Sequence, residues 1–385
     1  MLTTLAITNY RSLRNIRLPL SQLNVVHGEN GSGKSSLYRS LRLLAEAAQG
    51  GVVAALAREG GLDSTLWAGP ETISPAMKRG EQPVQGGPRS EPVNLRLGFA
   101  TEALSYCIDL GLPIPSSSAF AYDPEIKREC IWSGPVLRPA ALLVDRINAA
   151  VKVRDDAGEW RIVSSKLASF ESMLTQISDT RGAPEVINIR EQIRSWRFYD
   201  HFRTDAESPV RQAQLGTRTP VLSHDGHDLA AALQTIREIG DTELLDKTID
   251  DAFPGSVLAI RGGRFELSLR QAGLLRALTA AELSDGTLRY LLLTAALLTP
   301  RPPRLMVLNE PETSLHPDLL PALGRLIVAA SQHSQLWVVS HSNRLIAALQ
   351  EAAACNSIKL LKILGETQIE GQDLLEQPTW HWPKR

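Results

Sequence analysis

Gly28-Glu29-Asn30-Gly31-Ser32-Gly33-Lys34-Ser35 is the stretch on which the fold turns. It has the pattern G-x-x-x-x-G-K-[ST], and each residue type has a physical task. The glycines permit backbone angles that turn several N–H groups inward as an anion nest. A helix beginning at the end of the loop adds its positive N-terminal end. Lys34 can reach β- and γ-phosphates, and the Ser35 hydroxyl can ligate Mg²⁺. The expected nucleotide-binding residues of the loop are Asn30, Gly31, Ser32, Gly33, Lys34, Ser35 and Ser36. An ordinary glycine turn is the bland alternative, and the flanks decide against it. Residues 23–26 form a short apolar strand, and Leu37, Leu41, Leu44 and Ala48 recur at helical spacing. The motif calls for a nucleoside triphosphate but leaves the class of protein open.

Working outward, the chain has 385 residues, with 41 Lys+Arg against 42 Asp+Glu and a net charge of −1. That length suits two or three domains, or one large α/β unit carrying an insertion. Such a chain buries a core without disulfides. An apolar fraction of 43% and a charged fraction of 22% exclude disordered, collagen-like and disulfide-scaffold classes. The charge balance argues against a generally basic coat for nucleic acid, while leaving room for a local basic patch. Cys107, Cys130 and Cys355 are odd in number and form no CxxC pair, which suits a reducing cytoplasm. The N-terminal 18 residues show no charged segment leading into an apolar run, so no signal peptide is expected. The uncharged apolar run 290–299 is about half of the ~20 residues a membrane span needs. It is expected to be a buried helix, and no membrane partner is expected.

Alternation predicts strands at 2–8 and 13–18, and a helix is predicted at 35–48. Four Gly and five Pro within 69–92 predict an irregular, mobile loop. Strand-like runs follow at 93–100, 104–112, 127–132, 141–154 and 160–163, read as an antiparallel lobe. Helices are expected over 166–200, 228–238, 241–253 and 285–298, and a hairpin over 257–269. Residues 305–308 and 336–339 are short and wholly apolar, as in parallel strands buried on both faces.

Four further segments select the class. Leu283-Ser284-Asp285-Gly286-Thr287 opens the apolar helix. It resembles the LSGGQ signature of the ABC superfamily, with Asp third and Thr fifth. A plain helix N-cap, by Ser284 or Asp285, is the alternative. Leu305-Met306-Val307-Leu308-Asn309-Glu310-Pro311-Glu312 resembles a Walker B strand followed by the catalytic glutamate. The segment 314–317 occupies the D-loop position without spelling SALD. Trp337-Val338-Val339-Ser340-His341 is a strand ending in histidine, as at an H-loop. The order is ABC-type. With Ile7-Thr8-Asn9-Tyr10-Arg11-Ser12, the Asn30-Gly31 pair and the NEPETSLHP run, the chain resembles the RecF/SMC-like, OLD-like branch of bacterial ATPases.

That resemblance implies ATP and Mg²⁺ as cofactors and ATP hydrolysis as the activity. It implies Glu310 as general base or water-orienting group and His341 as a γ-phosphate ligand. Arg11 and Ser12 would lie near the nucleotide. Ser284, Asp285, Gly286 and Thr287 would act in trans, on ATP held by a second subunit. Ser35 and Asn309 would face Mg²⁺. Walker B normally ends in Asp, so Asn309 is a departure, and weaker Mg²⁺ binding is expected from an uncharged amide. No Q-loop glutamine can be placed, and no acidic nuclease cluster follows His341.

The expected fold is α/β, an ABC/RecF-type P-loop NTPase head with an inserted antiparallel β lobe and a helical part. Residues 1–50 and 254–370 would form the ATPase core, 51–253 the insertion and 371–385 a tail. The expected partners are a second copy on ATP binding, and DNA or a protein effector. Three functions compete: an ATPase in DNA repair, recombination or phage defence; an ATP-gated interaction module; and, least favoured, a transporter ATPase. Arg190, Arg194 and Arg197 interleave with Trp196, Phe198, Tyr199 and Phe202. A core helix face with solvated arginines is favoured over a DNA surface using Arg194 and Arg197. His224 and His227 match no zinc spacing, and Asp228 suits a helix N-cap. Trp380-His381-Trp382 reads as a packing tail.

Overall fold

The computed structural model describes residues 1–86, 94–115, 117–352, 354–373 and 377–384. The chain forms two compact units. One comprises Met1–Ser21, Gly28–Trp196 and Ile358–Arg385; the other comprises Gln22–His27 and Arg197–Ser357. These limits differ from the expected partition at 50 and 254. The antiparallel sheet takes in the first two strands of the chain as well as the 95–164 run, because Leu2–Tyr10 pairs with Leu95–Thr101.

In the first unit that sheet has eight strands. Leu13–Pro19 lies at one edge, beside Leu2–Tyr10. Leu95–Thr101, Leu104–Gly111, Glu125–Ser133, Leu142–Ile147, Ala150–Arg154 and Trp160–Ser164 then follow in chain order. The single strand expected over 141–154 is a hairpin instead. Asn148 adopts φ 52°, a left-handed turn conformation that asparagine tolerates and that reverses the chain. The expected irregular tract holds one helical turn, Pro75–Lys78; residues 87–92 of it, and residue 93 at the start of the expected strand, lie outside the described residues.

Helix Lys34–Ala47 buries Leu37, Leu41 and Leu44, and helix Pro184–Arg194 buries Val186, Ile189 and Ile193. Of the arginines of that second helix, Arg194 is exposed, as the core-face reading expects, whereas the Arg190 side chain is mostly buried and donates to the Ile177 carbonyl; both pair with Glu191. Glu129 and Arg146 form a fully buried ion pair at 2.6 Å. Tyr106, Ser172 and the Met173 N–H also donate to the Glu129 carboxylate. A buried charge pair is tolerable only when satisfied in this way. Trp380 is buried, edge-on to Trp132 at 5.4 Å and to Trp382 at 5.1 Å. The tail is therefore part of this unit's core.

In the second unit four strands run parallel, in the order Arg197–Tyr199, Leu305–Asn309, Gln335–Val339, Leu23–Gly28. Leu305 to Leu308 and Leu336 to Val339 are buried, which their unbroken apolar sequence requires. Helices Leu229–Ile239, Asp285–Leu297 and Leu320–Ala330 supply the apolar cover. The helix expected over 166–200 is shorter. It ends at Arg194, and 197–199 is a strand whose pairing with Leu305–Asn309 outweighs local helix spacing. Asp228 takes the N-cap position of Leu229–Ile239, but its carboxylate accepts from Ser223 N–H and Oγ rather than from the first turn. Among the described residues no helix is long and apolar enough to cross a membrane.

Candidate functional site

In the first unit the loop after Leu23–Gly28 has left-handed backbone at Gly28, Gly31 and Gly33. Gly33 carries φ 110° immediately before helix Lys34–Ala47, and a Cβ there would lie 2.2 Å from Thr367 Oγ1. Any other residue would be strained and would clash. The Lys34 ammonium is buried and donates to the carbonyls of Gly28 (2.6 Å) and Glu29 (2.7 Å). Ser35 and the Asn30-Gly31 tip are exposed. The Ser32 hydroxyl is buried without a hydrogen-bond partner, an orphaned polar atom of the kind an anion satisfies. The loop thus fits a bound phosphate chain.

Hairpin Cys355–Ile363 and Glu366–Ile369 was not expected from the sequence, and it buttresses this loop. The Thr367 hydroxyl donates to the Ser32 carbonyl (2.7 Å) and shares a hydrogen bond with Ser12 Oγ (2.8 Å). The Thr367 N–H donates to the Ser12 carbonyl. Ser12 is thus within the loop's support. Arg11 sits in a left-handed conformation, φ 51°, and forms an ion pair with Glu59 at 2.6 Å. Burial pulls the Arg11 pKa down, but the bond to Glu59 more than offsets this and raises it. Arg11, Arg39, Arg42 and Arg58 line one cleft against Glu46 and Glu59.

In the second unit the parallel strands end in Asp200, Asn309-Glu310 and Ser340-His341 along one sheet edge. Ligands in parallel α/β sheets bind outside these carboxyl ends. Glu310 is a non-glycine residue at φ 48°, a conformation costing about 1–3 kcal/mol that is characteristic of functional sites. Its N–H donates to the Val339 carbonyl (2.8 Å), and its carboxylate lies 3.1 Å from His341 Nε2. Glu312 Oε1 accepts from Ser340 Oγ (2.7 Å), His341 N (2.7 Å) and Ser342 N (3.1 Å). That carboxylate fixes the backbone carrying His341. Asn309 Nδ2 donates to Asp200 Oδ1 at 2.9 Å.

Ser284 caps helix Asp285–Leu297, accepting from Thr287 N at 3.2 Å and sharing a hydrogen bond with Thr287 Oγ1 at 2.9 Å. The capping role is therefore realised, and it leaves the exposed helix start in a defined shape. A Cβ at Gly286 would lie 2.8 Å from the Ser314 carbonyl, so the signature-like turn and the 314–317 segment need a glycine to approach. Arg211 binds the turn: it meets Asp285 at 2.6 Å and donates to the carbonyls of Ala280, Ala281 and Leu283.

At these strand ends two residues escaped sequence reasoning. Asp200 follows a three-residue strand, too short to show a period. Arg289 is buried in the apolar helix and donates to the Glu310 carbonyl at 3.2 Å. Burial lowers its pKa, against the carboxylates of Glu312, Asp200 and Glu310. A lone arginine in an otherwise apolar helix was the available signal.

No curated protein matches the chain in sequence. Among solved structures it is similar to an SMC head domain from Thermotoga maritima: 16% identity, TM-score 0.48, 97% of this chain and 99% of that one covered. An Smc head domain with an extended coiled coil, derived from Pyrococcus furiosus and bound to the C-terminal domain of ScpA, matches at 13% identity and TM-score 0.48, over 96% and 95%. An Smc head bound to the C-winged helix domain of ScpA matches at 14% identity and TM-score 0.51, over 97% and 98%. The last likeness gives the fold, an ABC-type P-loop head of mixed α/β structure with a large antiparallel sheet. This agrees with the SMC-like resemblance carried by the motifs. A family model described as "AAA domain, putative AbiEii toxin, Type IV TA system" matches residues 23–347. Those residues run from the strand that feeds the phosphate loop to the helix beyond His341, and the chain belongs to that family.

Proposed function

We propose that the protein binds ATP with Mg²⁺, dimerises through it and hydrolyses it, and that this cycle gates binding to DNA in repair, recombination or phage defence. The observation that carries the reading is Glu310, held in a left-handed turn at a parallel strand end with His341 3.1 Å from its carboxylate. A base so placed takes a proton from a water whose oxygen bonds to the γ-phosphorus, as the bond to the β-phosphate oxygen breaks. His341 orients that carboxylate. Gly31, Ser32, Gly33, Lys34 and Ser36 hold phosphate oxygens, and Asn30 shapes the loop tip. Ser35 and Asn309 are the groups for Mg²⁺, which when bound neutralises phosphate charge. Ser284 and Gly286 would complete the partner's nucleotide site, with Asp285 and Thr287 shaping that turn. Arg11 and Ser12 act through the support of the loop.

The chain is nearly neutral, so DNA requires a local basic surface. The cleft of four arginines and two glutamates around Arg39 and Arg58 supports one. A protein effector is the second reading. An Smc head of like fold was solved with a ScpA domain bound, and the family description names a toxin of a TA system. ATP turnover of the wild type and of Glu310→Gln, with and without DNA, tests the proposal. DNA-stimulated turnover that Glu310→Gln abolishes, with ATP binding retained, is expected. A wild type that does not hydrolyse ATP overturns it.

A further inference from the structure

The strand end that resembles Walker B carries an amide, Asn309, where a carboxylate is usual. By itself this predicts poor support for Mg²⁺. The neighbouring strand changes that conclusion. Arg197–Tyr199 pairs in parallel with Leu305–Asn309, Tyr199 opposite Leu308, so Asp200 and Asn309 come level at the carboxyl edge. Asn309 Nδ2 donates to Asp200 Oδ1 at 2.9 Å. That bond sets the amide: its nitrogen faces Asp200, and its oxygen is turned the other way as the acceptor. The Arg289 terminal nitrogen donates to the backbone carbonyls of Asp200 (3.5 Å) and Glu310 (3.2 Å), which fixes both strand ends.

We propose that Asp200 supplies the negative charge missing at position 309, so that Asp200 and Asn309 together serve the Mg²⁺ side of the nucleotide. Asn309 presents an oriented oxygen, and Asp200 polarises its amide and carries the charge. The proposal rests on the ATPase reading above. Among the described residues no three His, Cys, Asp or Glu side chains gather as a metal cage. This suits Mg²⁺, which keeps waters and phosphate oxygens and needs only one or two protein groups.

The test is calorimetric ATP binding across a Mg²⁺ series and in EDTA, with thermal melting to check folding. The variants are Asp200→Asn, Asn309→Asp and the double exchange. Asp200→Asn should cut the Mg²⁺-dependent gain in affinity by about 10-fold while leaving binding in EDTA unchanged, the size expected for one lost charge-assisted contact. The double exchange, which moves the carboxylate to position 309, should restore the gain to within about 3-fold. Asn309→Asp alone should change it by less than about 3-fold, because the charge is already present. An unchanged gain in a folded Asp200→Asn protein overturns the proposal, as does a double exchange no better than Asp200→Asn. Should Asp200→Asn not fold, a 10-fold rise in Asn309→Asp would show that the charge had been missing, with the same consequence. A wild type that binds no ATP in either condition overturns the nucleotide reading, and this proposal with it.

Discussion

His341 Nε2 lies 3.1 Å from Glu310 Oε1, and both residues stand on backbone that other groups lock in place. The Glu310 N–H is bound to Val339, and the His341 N–H to Glu312. The contact orients the carboxylate expected to act as base. His341→Ala should therefore lower kcat by about 10²-fold, the lower end of general-base contributions, while changing ATP affinity little. Single-turnover hydrolysis with a separate binding titration checks this. An equal loss in both would assign His341 to ground-state binding instead.

Thr367 supports the phosphate loop by one hydroxyl shared between Ser32 and Ser12. Thr367→Val keeps the shape and removes the hydroxyl. The loss of about 1 kcal/mol of hydrogen bonding should weaken ATP binding about 5-fold with little change in melting temperature. Titration with a fluorescent ATP analogue reads it.

Arg211 holds the start of the signature-like turn through three carbonyls and Asp285. Arg211→Ala leaves those groups without their donor. Faster amide hydrogen exchange is expected across 280–287, with about 1–3 kcal/mol lost in urea unfolding. Under the dimer reading, ATP-dependent association should weaken as well.

Much of the site was legible because its chemistry is local. The phosphate loop spans eight residues, and the Leu305–Asn309 and Gln335–Val339 strands announce themselves by the apolar runs 305–308 and 336–339 within them. Ser284 was ambiguous between a cap and a signature, and it does cap the helix. What stayed hidden depends on distant pairing. Arg197–Tyr199 has three residues, within a run of arginines and aromatics that also fits a helix, and only its bonding to a strand more than a hundred residues later makes it extended. Asp200 was lost with it. The hairpin carrying Thr367 was missed although Leu364 and Gly365, both at positive φ, make a tight turn between alternating runs. That turn signal was present in the sequence.

The arginine cleft offers a test of the DNA reading. Arg39→Glu with Arg58→Glu reverses two charges of that cleft and leaves the phosphate-loop residues themselves unchanged. DNA affinity should fall, and the slope of log K against log salt should lessen by about 2. ATP turnover without DNA should be unchanged. Unaltered DNA binding would place the contact elsewhere and favour a protein effector.

The central claim is that ATP joins two heads and that Glu310 ends that state. Light scattering of Glu310→Gln, with and without ATP–Mg²⁺, measures it most directly. A monomer that becomes a dimer on ATP addition, and stays so while the wild type reverts as ATP is consumed, is the predicted result. A Glu310→Gln protein that binds ATP yet remains monomeric at high concentration would contradict it.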